Sequence, residues 1–317
     1  MSSLDYWLRW QVPVCGLIIV APLIIAAIFI SRIKRAPIIA SDQWTPCWRG
    51  LSPLWLLIYR ASAFAFMAWM LSRVAAHDGP WAFFFYTQWT FTLVTIYFML
   101  ASIISAHGCW KYSSRRTPLA LDEERDGFLK KKKKKKTKKQ VDEAEARTTL
   151  TSVPNNVGLD NEQEDTVEAG FWGYLMQIYQ TSAGASMLTD VVFWGLLFPF
   201  QSEGHFRLNP LMAGMHSLNA VFLILDATLN RLAFPWFRMA YFIFWSAIYI
   251  VFQWISHASG VSWWPYQFLE LSTPWAPAWY LAIALIHIPC YAFFVLVVKI
   301  KTLIFSTFFP GSFMGPC

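Results

Sequence analysis

WAFFFYTQWTFTLVTIYFMLASIISA, residues 81–106, is the stretch whose reading decides the fold. As a helix its 26 residues span roughly 39 Å at about 1.5 Å per residue, more than the ~30 Å of hydrocarbon in a bilayer. Thr87, Gln88, Thr90, Thr92 and Thr95 crowd its first half. Hydrocarbon offers no partner to a hydroxyl or an amide, so a spanning helix turns such a face toward protein or toward a cavity that admits water. Thr87 and its neighbours are therefore expected to face inward, beside whatever chemistry the chain performs.

Composition supports a membrane reading. Hydrophobic residues make up 56% of the 317, aromatic residues 18% and charged residues only 14%, against roughly 25% charged in a soluble domain. The 18 Trp and 27 Phe suit interfacial belts and helix packing. The net charge of +7 lies between hydrophobic spans and forms no basic soluble face, so nucleic acid is not an expected partner.

Seven spans are predicted, near Val12–Ile30, Leu51–Leu71, Trp81–Ala106, Gly173–Phe200, Leu211–Leu232, Phe234–Ser256 and Ala278–Val298. The expected class is an all-α multi-pass bundle, with helices in 1–107 and 173–298, a cytosolic lysine-rich loop over 108–172 and a cytosolic tail from 299 to 317. Arg32, Lys34, Arg35, Arg49, Lys111, Arg115, Arg116, Arg231, Arg238, Lys299 and Lys301 fall in or beside alternate connections, while the stretch 258–277 has no Lys or Arg. The positive-inside rule then puts the amino terminus outside and the carboxyl terminus in the cytosol. With no small-residue cleavage site behind it, the first span reads as a retained anchor. None of the five cysteines falls in an outer loop.

The 108–172 loop has the composition of a disordered insert. Lys130 to Lys139, interrupted only at Thr137, precede an acidic, Thr- and Asn-rich segment. Such a run either clamps anionic lipid headgroups, at about 1 kcal/mol per basic residue near the surface, or is a solvated linker that reinforces topology.

Several polar side chains fall within spans. Arg60 lies near the midplane of the second, where a charge costs at least ~2.5 kcal/mol unless paired. Asp190 and Asp226 are acids at compatible depth for a structural ion pair. The other reading is that Arg60 binds a lipid or the carboxylate of a fatty substrate through its planar fork. Thr87 and His216 fall at calculated depths of roughly 9 and 8 Å below the same face. Histidine suits the removal of a threonine proton near neutrality, and Asn219 could orient the imidazole or an acyl carbonyl. Against this, a spanning threonine usually bonds back to the carbonyl four residues earlier, and a bundle histidine is usually an interhelical donor. His216, His257 and His287 together could instead ligate a metal or haem, although no Cys, Asp or Glu joins them at ligand spacing. The expectation is no metal and no cofactor.

FYTQWTFTLVTIYF (85–98), FWGLLFP (193–199), MHSLNAVFLILD (215–226) and QWISHASGVSWWPYQFLEL (253–271) occur in an order that resembles the androgen-induced and androgen-dependent membrane threonine hydrolases, with the rolling stone proteins as relatives. The resemblance covers the third to sixth spans. It implies cleavage of fatty acid esters of hydroxy fatty acids, with Thr87 as nucleophile and His216 as its partner. Gln88, Asn219, His257 and Arg60 are expected to contact substrate, and the endoplasmic reticulum or plasma membrane is the expected site. The first span and the lysine loop have no counterpart in the six-span animal proteins, so this chain resembles a plant or fungal-type branch. The alternative is a non-catalytic lipid-binding receptor or scaffold. Neither an acidic-Arg-aromatic triplet after the third span nor an Asn-Pro-x-x-Tyr in the last accompanies the seven spans.

Overall fold

The computed structural model describes residues 3–32, 40–137, 177–201 and 209–315. Among these the chain is all-helical, with only two isolated β-bridges. The helices are α1 (Ser3–Trp7), α2 (Gln11–Arg32), α3 (Pro53–Asp78), α4 (Tyr86–Thr137), α5 (177–192), α6 (Phe198–Gln201), α7 (Pro210–Met215), α8 (Leu218–Leu229), α9 (Met239–Ala258) and α10 (Ala276–Phe308). Six helical segments are long and apolar enough to cross a membrane: Gln11–Arg32, Pro53–Phe84, Tyr86–Ser114, Pro210–Leu229, Trp236–Ala258 and Ala276–Phe308. The chain is a multi-pass integral membrane protein. The fourth expected span, Gly173–Phe200, is not among these six; it corresponds to α5 and α6, joined by a π-helical turn at Phe193–Leu197, and its first residues, 173–176, lie outside the described residues.

Helix α4 is the axis of the bundle. In its most apolar stretch 56% of residues are buried, against 11% in α2. Phe91, Val94, Phe98 and Ala101 form a fully buried stripe at the three- and four-residue spacing of one helix face, with Tyr97 beside it. Helix α3 packs along α4, and α2 lies against α9 and α10. The α4 backbone continues to Thr137, through the first part of the stretch read from composition as a disordered insert. Leu, Ala, Glu and Lys there are strong helix formers. Lys138 and Lys139, with the acidic segment up to residue 176, lie outside the described residues. The last helix likewise continues to Phe308, ten residues beyond the expected span.

Two helix breaks correct the sequence-based depths. Ser52 accepts from the Leu54 N–H and Pro53 starts α3. Gly79, at φ 62°, ends that helix, and a 3₁₀ turn follows over Gly79–Phe84. Phe85 is extended, so α4 starts at Tyr86 and Thr87 sits in its first turn, not six residues down a continuous helix. The expected fifth span is broken at His216 and Ser217, between α7 and α8.

The end of the bundle near the start of α3 is knit by polar contacts. Arg60, fully buried, donates to Asp226 from Nε at 2.9 Å and from Nη2 at 3.4 Å. Its Nη1 reaches the Gln43 carbonyl and the Ser105 hydroxyl, each at 2.8 Å. Tyr97 and Asn230 also donate to Asp226. Lys301 closes α8 by donating to the carbonyls of Ala227 and Asn230 at 2.8 and 2.9 Å, where a helix end leaves acceptors unsatisfied. Arg231 pairs with Asp42 at 2.9 Å, and the segment 312–315 exchanges backbone bonds with Cys47 and Arg49.

Candidate active site

At the other end of α4, a cavity of about 560 Å³, counted out to its open mouth, lies among α4, α5, α9, α10 and the break at His216. Thr87, His216, Tyr86, Thr189, Ser246, Tyr249, Tyr266 and His287 give it polar groups, while Leu188, Val192, Leu197, Ile250, Phe268, Leu269 and Ile283 make most of its wall apolar. An apolar wall with a few convergent polar groups is the usual character of a small-molecule site.

The helix break at Phe85 gives Thr87 its freedom. Deep in a helix a threonine hydroxyl bonds back to the carbonyl four residues earlier, as Thr95 does to Phe91 at 2.8 Å. For Thr87 that carbonyl is Phe83, which lies before the break and accepts from the Trp89 indole at 2.8 Å. The neighbouring Phe84 carbonyl accepts from Tyr249 and Gln253 at 2.9 and 2.7 Å. The Tyr266 hydroxyl accepts the Tyr86 N–H at 3.1 Å, and Tyr266 lines the cavity with Thr87. The interrupted backbone is thus satisfied by side chains, as an irregular segment inside a bilayer requires.

His216 is held by the π-turn. Its ring stacks on Phe193, centroids 3.7 Å apart and planes 3° apart, and its carbonyl accepts from the Trp194 indole at 2.7 Å. The imidazole is buried, and Nδ1 has no hydrogen-bond partner among the described residues. Thr87 and His216, 129 positions apart, therefore face one cavity, although no direct hydrogen bond joins them.

The other expected site residues are elsewhere. Arg60 is not in the cavity: Asp226, Gln43 and Ser105 occupy its guanidinium, and the acid is Asp226, not Asp190. Gln88 turns away from Thr87 and places Nε2 3.6 Å from the Met215 sulfur, because consecutive helical residues point about 100° apart. Asn219 accepts the Ala220 N–H at 2.8 Å. His257 stacks on Trp264, with centroids 4.4 Å apart, beneath Tyr6. His216 and His287 line the cavity but His257 does not, and among the described residues no three His, Cys, Asp or Glu side chains converge as a metal site.

Close to His257, α1 is clasped to the loop before α10. Tyr6 donates to Glu270 at 2.6 Å, Trp264 donates to Tyr6 at 3.2 Å, and Arg9 reaches the Ser272 carbonyl at 3.0 Å. Burial pushes the Glu270 carboxyl up, but bonds from Tyr6 and Ser272 and the neighbouring His257 outweigh it and hold the group below its ordinary value.

Sequence reasoning missed the contact between Ser246 and His287. Ser246 sits in an apolar run with no motif around it, and only its helical depth relative to His287 could have suggested the meeting.

No protein-family model, curated protein or solved structure matches the chain.

Proposed function

We propose that this protein hydrolyses lipid esters within the membrane, with Thr87 as nucleophile and His216 as base. The observation that carries this reading is that Thr87, freed from back-bonding by the helix break, and His216, with an unpartnered Nδ1, line one largely apolar cavity. Thr87 Oγ attacks the ester carbonyl as its proton passes to His216, and the imidazolium returns that proton to the departing alkoxide. Water then clears the acyl-threonine. The Tyr266 hydroxyl, beside Thr87, faces the developing oxyanion. The apolar wall takes the acyl chain, which need not leave the bilayer.

The resemblance to the androgen-induced and androgen-dependent threonine hydrolases supports the same pair and makes fatty acid esters of hydroxy fatty acids the first substrates to test. The charge distribution supports seven spans, an outer or lumenal cavity and a cytosolic carboxyl terminus, in the endoplasmic reticulum or plasma membrane. Lys130 to Lys139 then meet the anionic cytosolic leaflet. With the native cysteines replaced, Ser262→Cys should react with an impermeant maleimide on outside-out vesicles and Ser152→Cys should not. The opposite pattern overturns the orientation.

The decisive experiment is labelling of the purified protein with a fluorophosphonate, the adduct being mapped by peptide mass spectrometry. An adduct on Thr87, lost in folded Thr87→Ala, is the expected result. The missing Thr87–His216 hydrogen bond favours one other reading, a cavity that binds lipid without turning it over. Failure of the wild-type protein to label or to hydrolyse any lipid ester would establish it.

A further inference from the structure

We infer that Ser246 and His287 form a second nucleophile–base pair in the wall of this cavity, a site for acyl esters that stands independently of Thr87. The hydrogen-bond directions carry the assignment. His287 Nδ1 lies 2.7 Å from the Ile283 carbonyl, which can only accept, so Nδ1 bears the proton. In the neutral imidazole Nε2 then presents its lone pair. Ser246 Oγ lies 2.9 Å from Nε2 and donates its only proton there. The Tyr86 hydroxyl, 2.8 Å from Ser246 Oγ, must therefore donate to Ser246. The chain of donors runs in one direction, from Tyr86 through Ser246 to His287.

This arrangement has what the Thr87 pair lacks in the resting state, a hydroxyl already bonded to a base whose tautomer is fixed by a second contact. The His287 ring stacks on Phe242, with centroids 4.5 Å apart, and cannot turn without losing that face. Ser246 and His287 both line the cavity, and each is less than a tenth exposed. The pair joins α9 to α10, so the two imidazoles of the cavity come from different helices.

The substrate class is a carboxylic ester with a long apolar acyl chain. A bond forms between Ser246 Oγ and the carbonyl carbon as the hydroxyl proton moves to His287 Nε2. The ester C–O bond then breaks, and His287 gives the proton to the departing alcohol oxygen. A water attacks the acyl-serine by the same route, releasing the acid and restoring Ser246. Tyr86 is a positioning residue, holding the serine oxygen in line with Nε2.

The test is adduct mapping with a fluorophosphonate on the full chain in lipid nanodiscs, in wild type, Thr87→Ala, Ser246→Ala and His287→Gln, with thermal unfolding followed for each. The expected result is an adduct on Ser246 in wild type and in Thr87→Ala, none at that position in Ser246→Ala, and labelling of Ser246 slowed about 10²-fold or more in His287→Gln, which keeps a polar group but supplies no base. An adduct on Thr87 alone in the wild-type protein overturns this pair and leaves the Thr87 reading standing. An adduct on Ser246 alone does the reverse, and none on either overturns both. The wild-type measurement decides even if a variant fails to fold.

Discussion

The two buried polar regions on α4 differ in whether their ionisable side chains are fully hydrogen-bonded, although Gln43 and Tyr179 beside Arg60 and Tyr97 also keep unpartnered polar atoms. They lie toward the two ends of its apolar stretch, Tyr86–Ser114, about 27 Å apart from Thr87 to Ser105 at ~1.5 Å per residue. Around Arg60 and Asp226 every guanidinium nitrogen has an acceptor and both carboxylate oxygens have donors. Around Thr87 the bundle leaves Nδ1 of His216, which lines the open cavity, without a partner among the described residues. A completed network holds helices together and leaves nothing for a ligand. An incomplete one beside a cavity is where a ligand or water can supply what is missing. Charge buried in a membrane thus marks function less reliably than unsatisfied polarity does.

The largest test of that contrast is Arg60→Ala. It leaves Asp226 uncompensated and should lower stability by about 3–5 kcal/mol, measured by thermal or denaturant unfolding in nanodiscs, whereas Arg60→Met combined with Asp226→Leu should recover most of the loss. An Arg60→Ala protein of unchanged stability that had lost lipid binding would erase the distinction between the two regions.

At the cavity end the effects should reverse, with activity falling while the fold survives. In a Ser246→Ala background, where only the Thr87 pair can act, Thr87→Ala should reduce ester hydrolysis by about 10²-fold or more with little change in unfolding temperature, and Thr87→Ser should retain part of it. His216→Ala should be nearly as damaging, and the double variant no worse than either single one, because members of a nucleophile–base unit are not additive. Thr95→Ala, which removes only a back-bonded hydroxyl, should leave hydrolysis at the wild-type rate. A Thr87→Ala protein that hydrolyses normally in that background would remove the nucleophile from the proposal.

The smallest effect concerns the clasp between Tyr6 and Glu270. The folded state holds this carboxyl below its ordinary value, so its contribution is present above the unfolded pKa, near 4.3, and is lost as pH falls through the lower folded value. The protection factor for hydrogen exchange in residues 3–9, corrected for the intrinsic pH dependence of amide exchange, should therefore fall below about pH 4 in wild type and stay constant across that range in Glu270→Gln. Equal pH dependence in both would assign the transition to another group.

Much of the bundle was legible in the sequence because long apolar runs leave few alternatives. Arg60 announced its need for an acid, and two acids at compatible depth narrowed the choice to one structural bond. The helix breaks were harder to read. The aromatic run 81–86 is as compatible with helix as with the turn it forms, so a continuous helix read from Trp81 puts Thr87 too deep. Gln88 follows Thr87 directly and so points to another face of α4, while Asn219, one turn after His216, is separated from it by the helix break at His216 and Ser217. Ser246 gave no signal, since its meaning comes from His287 on another helix, 41 positions away.

The ion pair at Arg60 also sets a timetable for synthesis. Gln43, whose carbonyl it binds, is made 17 residues earlier, Ser105 follows 45 residues later, and Asp226 comes 166 residues later. At roughly 5–20 residues per second, Arg60 waits about 8–33 s for its counter-ion. Throughout that interval α3 carries a positive charge whose insertion alone costs about 2.5–3.5 kcal/mol near the bilayer centre. Its seat in the membrane is therefore provisional, eased first by a carbonyl and then by a hydroxyl, and becomes permanent only when α8 leaves the ribosome and brings the carboxylate to it.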